Sequence, residues 1–277
     1  LGKERGGDII IRDITIGQYY PAKSVLHSLD PRVKLAGTFL YIISLFIFES
    51  LSGYVLAGLI LLLTIKASHV PFSYIVKGLK SVVFVMMFAV FFNVFFSHGQ
   101  HQLVKYGVIS ITVEGIELAC FMAIRLVYLI LGSSLMTFTT TPNQLTDGLE
   151  KALAPLNRLK IPVHEIAMMM SIALRFIPIL LEEADKIMKA QSARGADFET
   201  GNLMTRAKRL VPLLVPLFIS AFRRANDLAM AMEARCYRGG EGRTKMKPLK
   251  YKRLDYVGYS LVASYLGIVF VIENYII

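Results

Sequence analysis

The chain has only two cysteines, Cys120 and Cys236. They fall in a predicted membrane span and a predicted cytoplasmic helix, which argues against a disulfide framework. Catalytic signatures are missing too. His164-Glu165 begins the zinc pattern H-E-x-x-H, but position 168 is Met, so the metal pair is absent. The five histidines (27, 69, 98, 101 and 164) are scattered. His98 and His101 share one loop, which reads as a polar loop and not as a metal site. Gly239-Gly240-Glu241-Gly242-Arg243-Thr244 is glycine-rich and basic, yet it lacks the G-x-x-x-x-G-K-[ST] spacing of a phosphate loop. It follows a helix and reads as a helix stop and turn. No Asp-rich pair and no Ser-His-Asp set can be assembled, so a membrane-embedded enzyme has no catalytic constellation to use. The first thirty residues are polar and mixed in charge, which reads as no cleavable signal peptide.

What the chain does have is apolar length and positive charge. It is 55% hydrophobic with a formal net charge of +11, a pairing rare in soluble domains. The charge follows the positive-inside bias of membrane proteins, so no nucleic-acid partner is expected. Apolar stretches at Val33–Phe48, Tyr54–Ile65, Leu79–Phe96, Ile116–Phe138 and Leu254–Ile272 predict five transmembrane helices in an all-α, polytopic membrane protein. The first two are short and call for flanking residues, small tilt or local bilayer thinning. Lys and Arg alternate in density. Six occur up to Lys34, none around Ser50–Gly53, and Lys66, Lys77 and Lys80 lie between span two and the first residues of span three. Only Lys105 separates spans three and four, whereas twenty fall between spans four and five. The expected order is a cytoplasmic N-terminal segment (1–30), four spans (31–141), a cytoplasmic domain (142–250) and a final span (251–277) with its C-terminus outside.

Within 142–253, Val163–Leu181 and Leu210–Phe222 are also apolar. Were both to cross the membrane, Lys186, Lys189, Arg194, Arg206, Lys208 and Arg209 would lie outside, against the charge bias. They read as long cytoplasmic or interfacial helices. Asn143–Leu159 predicts a short amphipathic helix. A second helix runs from Val163 to Arg194, with Pro162 at an N1-type position, a kink at Pro178 and Gly195 as C-cap. A third runs from Leu203 to Tyr237, kinked near Pro212 and Pro216.

The ends of these two helices repeat. A shift of 41 positions superposes Ala184 on Ala225, Ala190 on Ala231, Ala193 on Ala234 and Arg194 on Arg235. Arginine makes bidentate, charge-assisted bonds and stays protonated, and small neighbours let the helix end approach a partner closely. A cation also complements the C-terminal dipole, so a solvated cap is the plain alternative. Met168, Met169, Met170, Met188, Met204, Met230 and Met232 concentrate in the same helices. They are either ordinary packing or an adaptable surface for an exchangeable partner. Arg125 lies inside span four, where a charge is costly. It has either an internal partner or a contact to lipid or another subunit. Gly37, Gly53, Gly58, Gly132, Ser133 and Ser134 permit close helix approach.

Several segments together resemble the transmembrane (T) component of energy-coupling factor transporters, the EcfT family. They are Leu29-Asp30-Pro31-Arg32-Val33-Lys34-Leu35, Arg175-Phe176-Ile177-Pro178, Ala193-Arg194-Gly195-Ala196-Asp197-Phe198, Glu233-Ala234-Arg235 and Tyr237-Arg238-Gly239-Gly240. The likeness runs from about Gly17 to the final span. It implies a non-catalytic scaffold of a vitamin or micronutrient importer in the prokaryotic cell membrane. Two cytoplasmic ABC ATPases would dock at Ala193, Arg194 and Gly195 and at Ala234, Arg235 and Cys236. An integral membrane S component, exchangeable in some systems, would bind elsewhere, with Met168, Met169, Met170, Met188, Met230 and Met232 as candidate contacts. Membrane lipids are further expected partners. The resemblance implies no cofactor in this chain, ATP and magnesium belonging to the ATPases. Cys236 stands where the family commonly has Gly or another small residue. The competing reading, a stand-alone carrier or channel, would want repeated spans and ionisable groups at the midplane, and only Arg125 offers one.

Overall fold

The computed structural model describes residues 19–48, 50–80, 82–96, 101–106, 109–196, 203–240, 246 and 248–276. Asp197, Phe198, His98 and 241–244 of the sequence motifs, and Gly17 where the resemblance begins, lie outside them. The chain divides into two compact units, one comprising Gly17–Lys151 with Leu249–Ile277 and the other including Ala152–Pro248.

The first unit is a helical bundle. A short helix α1 (Val25–Ser28) precedes α2 (Pro31–Ile47), α3 (Leu51–Ser68), α4 (Phe72–Lys80) and α5 (Val83–Phe96). A two-stranded antiparallel hairpin, β1 (Gln102–Tyr106) and β2 (Ile109–Thr112), leads into α6 (Val113–Thr139). It occupies the loop between the third and fourth apolar stretches, where no strand pattern was expected. Then come α7 (Pro142–Leu153) and, in the last part of the unit, α10 (Arg253–Ile276). With 27 residues, α6 is about 40 Å long and packs on α2, α3, α4 and α5. Leu61, Ile65, Leu131, Leu135 and Phe138 form one core, and Leu45, Phe48, Tyr54, Tyr265 and Val269 another. A Cβ on Gly132 would lie 2.9 Å from the Tyr41 ring, so only glycine lets α2 and α6 meet there.

Length and composition qualify α3, α6, α10 and the later helix Val163–Ala193 as membrane spans. The pair α4 and α5 qualifies as one span bent by 58°, where the sequence suggested a straight helix from Leu79. The first expected span is α2, whose 17 residues reach about 26 Å. Because Val163–Ala193 passes the same apolar test, only the charge distribution argues against its crossing the membrane.

The chain ends of α2, α6 and α10 meet in a polar knot. Asp30 caps α2, accepting from the Arg32 amide at 2.9 Å and from Arg32 Nε and Nη2 at 3.0 Å each. Pro31 fills the first turn, where no amide donor is needed. Burial works against Asp30 ionising, but the hydrogen bonds and charge of Arg32 outweigh it and hold its carboxyl below the ordinary value. Lys34 Nζ donates to the Thr139 carbonyl at the end of α6, 2.9 Å away. Asp255, 1% exposed, accepts from the Asp30 amide at 2.7 Å and the Lys252 amide at 2.6 Å. The motif Asp30-Pro31-Arg32 thus works as a helix start, and its distant partner Asp255 had no sequence signal.

Arg125 has internal partners. Its Nε donates to the Tyr54 hydroxyl at 3.0 Å, and Nη2 points at the Phe48 carbonyl at 3.4 Å. It therefore ties α6 to the end of α2 and the start of α3.

The second unit has two long helices, α8 (Val163–Ala193) and α9 (Leu203–Ala234), of 31 and 32 residues. Each is about 47 Å long, and both run on through Pro178, Pro212 and Pro216. Pro162 is the N-cap of α8, one position before its first turn. The single helix expected over Asn143–Leu159 divides into α7 and a 3₁₀ segment, Ala154–Leu159, whose Pro155 cannot continue the α-helical ladder.

Asp255→Ala would strand the buried Asp30 amide, worth about 1–3 kcal/mol, and release the part-buried Lys252 amide. We expect a loss of about 1–3 kcal/mol, read as a lower midpoint in thermal unfolding of the detergent-solubilised protein, with Asp255→Asn intermediate.

Candidate functional site

The two arginine motifs end their helices by the same hydrogen-bond pattern. On α8, the Gly195 amide bonds to the Ser192 carbonyl and the Ala196 amide to the Gln191 carbonyl, both at 3.0 Å. On α9, the Cys236 amide bonds to the Glu233 carbonyl at 2.8 Å and the Tyr237 amide to the Met232 carbonyl at 3.0 Å. Each pair is a Schellman closure, with a left-handed residue one position after the cap. Every participating residue on α9 is its α8 counterpart shifted by 41. Arg194 and Arg235 both occupy the cap itself, so the turn holds their backbones in one defined orientation. Both arginines and their small neighbours Ala193, Gly195, Ala234 and Cys236 are exposed. Among the described residues neither guanidinium has a carboxylate partner.

The left-handed position separates the two ends. Gly195 has φ +89° and open space around it. Cys236 adopts φ +56° with a side chain attached, a conformation that costs a non-glycine residue roughly 1–2 kcal/mol. The departure noted in the sequence is therefore a strained copy of the same turn, with the turn retained.

Beyond Cys236 the chain needs its glycines. Gly239 has φ +91°, and a Cβ on Gly240 would come within 2.5 Å of the His164 ring on α8. His164 is thus a packing post for the segment after α9. Among the described residues no group of three His, Cys, Asp or Glu side chains could hold a metal.

The second end borders a cavity of about 680 Å³ whose walls include Arg175, Arg235 and Arg238, with Met168 and Met232. No carboxylate is among its lining residues. Met169, Met170 and Met230 are exposed instead, at 58%, 42% and 60%, and Met188 is half-buried on α8. Leu214, Val215, Phe218, Ile219 and Phe222 form an exposed apolar strip on α9, within the Leu210–Phe222 run already apolar in the sequence. Its spacing of three and four residues was the available signal.

Similarities to known proteins cover most of the chain. The cobalt transport protein family, CbiQ, matches residues 22–246. An energy-coupling factor transporter transmembrane protein EcfT from Ruminiclostridium cellulolyticum is 53% identical over 264 residues, spanning 95% of this chain and 98% of the relative. The EcfT of Clostridium kluyveri is 55% identical over 249 residues, 90% of this chain and 92% of the relative. That of Bacillus subtilis is 48% identical over 240 residues, 87% and 91% respectively.

Cys236→Gly should relieve the strained turn while adding unfolded-chain entropy of about 0.4–1 kcal/mol. The expected net gain is about 0.5–1 kcal/mol, seen as a higher unfolding midpoint, whereas Gly195→Ala should lose about 1 kcal/mol.

Proposed function

The chain belongs to the EcfT family of energy-coupling factor transmembrane proteins, and from that premise we propose that it is the scaffold linking two cytoplasmic ATPases to a substrate-binding S component. The family's members are transmembrane components and not catalysts themselves, so ATP and magnesium are bound and used on the partner subunits. The observation that carries this reading is the pair of matching Schellman ends, each presenting an exposed arginine between small residues. Two equivalent cations on two long rigid arms suit two equivalent acidic sockets, one in each ATPase. A guanidinium–carboxylate pair at each end would fix register and orientation, and removing one partner of such a desolvated pair costs about 2–5 kcal/mol. The cavity beside Arg235 adds Arg175 and Arg238 to the positive surface at the second end.

The S component is proposed to use the exposed apolar surfaces, the α9 strip and Met169, Met170 and Met230, which exceed what a free helix leaves open to water. The charge distribution supports a cytoplasmic N-terminus and cytoplasmic arms, with the C-terminus outside. A stand-alone carrier gains no support, since Arg125 is engaged with Tyr54 and Phe48.

The test is double charge reversal. An Arg194→Glu, Arg235→Glu protein should express and insert normally, lose both ATPases on purification, and support at least tenfold less vitamin uptake in cells. Unchanged uptake would sink the assignment.

A further inference from the structure

Two helices of the first unit meet at one end and part at the other. Ser50 Oγ, just before α3, donates to Glu273 Oε1 of α10 at 2.9 Å. Tyr54 and Ala57 of α3 then share a core with Tyr265 and Val269 of α10. Beyond that contact a cavity of about 360 Å³ lies among α2, α3, α6 and α10. Ile60, Leu63 and Thr64 line it from α3, and Gly258, Leu261 and Val262 from α10. Leu63 and Leu261 are 58% and 64% exposed, so the space opens sideways between these two helices. Both qualify as membrane spans, and the opening faces the bilayer. An empty apolar space forfeits the dispersion contacts of its walls. A methylene needs about the 30 Å³ that one water takes, so the space holds roughly a dozen carbons, most of one acyl chain.

The lining is not wholly apolar. Lys34 of the polar knot borders the cavity and is only 8% exposed. An ammonium carries three donors. Two are directed at the Thr139 and His27 carbonyls, at 2.9 and 3.4 Å, and the third has no acceptor among the described residues. The rim is basic at the same end. Lys66 follows Leu63 at three-residue spacing in the last turn of α3. Arg253, Val257 and Leu261 run at four-residue spacing along one face of α10. Lys66 and Arg253 are exposed, and neither forms an ion pair among the described residues. The nearby carboxylates, Asp30 and Asp255, are already occupied by backbone amides of the knot. Unpaired basic groups beside a gap between spans attract anionic headgroups.

We propose that this cavity is a lipid site. One acyl chain of an anionic phospholipid enters between α3 and α10, its phosphate rests between Lys66 and Arg253, and Lys34 donates to an ester oxygen. The lipid completes the wall that α3 and α10 leave open and braces the knot beside it. Its leaflet is the cytoplasmic one, a choice that rests on the charge-based orientation above.

The experiment uses the complete complex, with its ATPases and S component, in phosphatidylcholine nanodiscs. A minor fraction of the lipid carries a diazirine on one acyl chain, as phosphatidylglycerol in one sample and as phosphatidylcholine in the other. After illumination, peptide mass spectrometry should place adducts on the lining residues Ile60, Leu61 or Val262, at least about fivefold more with phosphatidylglycerol. Lys66→Gln, Arg253→Gln should cut these adducts at least about fivefold while labelling of the exposed Leu59 and Leu62 stays unchanged. Thr64→Phe fills the cavity and breaks only a hydrogen bond within α3, to the Ile60 carbonyl. It should abolish lining adducts from both lipids in an assembled complex. Equal lining adducts from the two lipids, adducts confined to Leu59 and Leu62, or a double variant labelled like the unaltered protein overturns the site. Lys66→Cys, in a Cys120→Ser, Cys236→Ser background, reports orientation separately. Its reaction with an impermeant maleimide from outside intact cells would overturn the orientation and the choice of leaflet, whereas the lining adducts test the cavity in either leaflet.

Discussion

A peptide group buried at the end of a helix must find its partner within the protein, because water cannot reach it. The polar knot of the first unit answers that demand. Asp30 satisfies the start of α2, Asp255 takes the amides of Asp30 and Lys252, and Lys34 takes the last carbonyl of α6. Three helices far apart in sequence are thereby registered at one end of the bundle. At Phe48, the carbonyl closing α2 is approached by Arg125 in the same manner. The apolar interfaces between these points need little specificity of their own, and glycines such as Gly132 set how closely they approach.

The second unit meets the same constraint by a different route. Its helix ends are exposed, and their orphan carbonyls are satisfied by the backbone of the next two residues. A Schellman closure uses no side chain from the cap residue. The arginine there is free to face outward while its backbone is fixed. An ordinary side-chain-mediated stop would have consumed that freedom.

Much of this was legible in the sequence, for reasons that can be named. Long apolar runs, proline positions and the paired Ala-Arg ends are local signals, and α3, α6, α8, α9 and α10 follow them within a few residues. The Asp30–Asp255 contact spans 225 residues, and no periodicity reports such a pairing. The bend between α4 and α5 and the hairpin before α6 lacked turn or alternation signals strong enough to stand against a hydrophobic run. Among the candidate methionines, Met168 and Met232 line a cavity while Met169, Met170 and Met230 are exposed. Residue type alone does not report which side of a helix is covered. The ion pair between Arg224 Nη2 and Glu183 Oε2, 2.8 Å long, was within reach, because the 41-residue shift that aligns the arginines also aligns these two residues. Identity drew attention to the matching positions, and the informative position was a mismatch.

That mismatch separates two requirements placed on a duplicated helix. At the outer ends the turn and its arginine are retained, even where Cys236 must adopt a left-handed backbone to retain them. Where Glu183 meets Arg224 each copy faces the other, and preservation would oppose carboxylate to carboxylate. A repeated helix can keep its ends alike and still pack on its copy only by differing where the two meet. The retained Arg194 and Arg235 and the inverted Glu183 and Arg224 are two consequences of that single geometric condition.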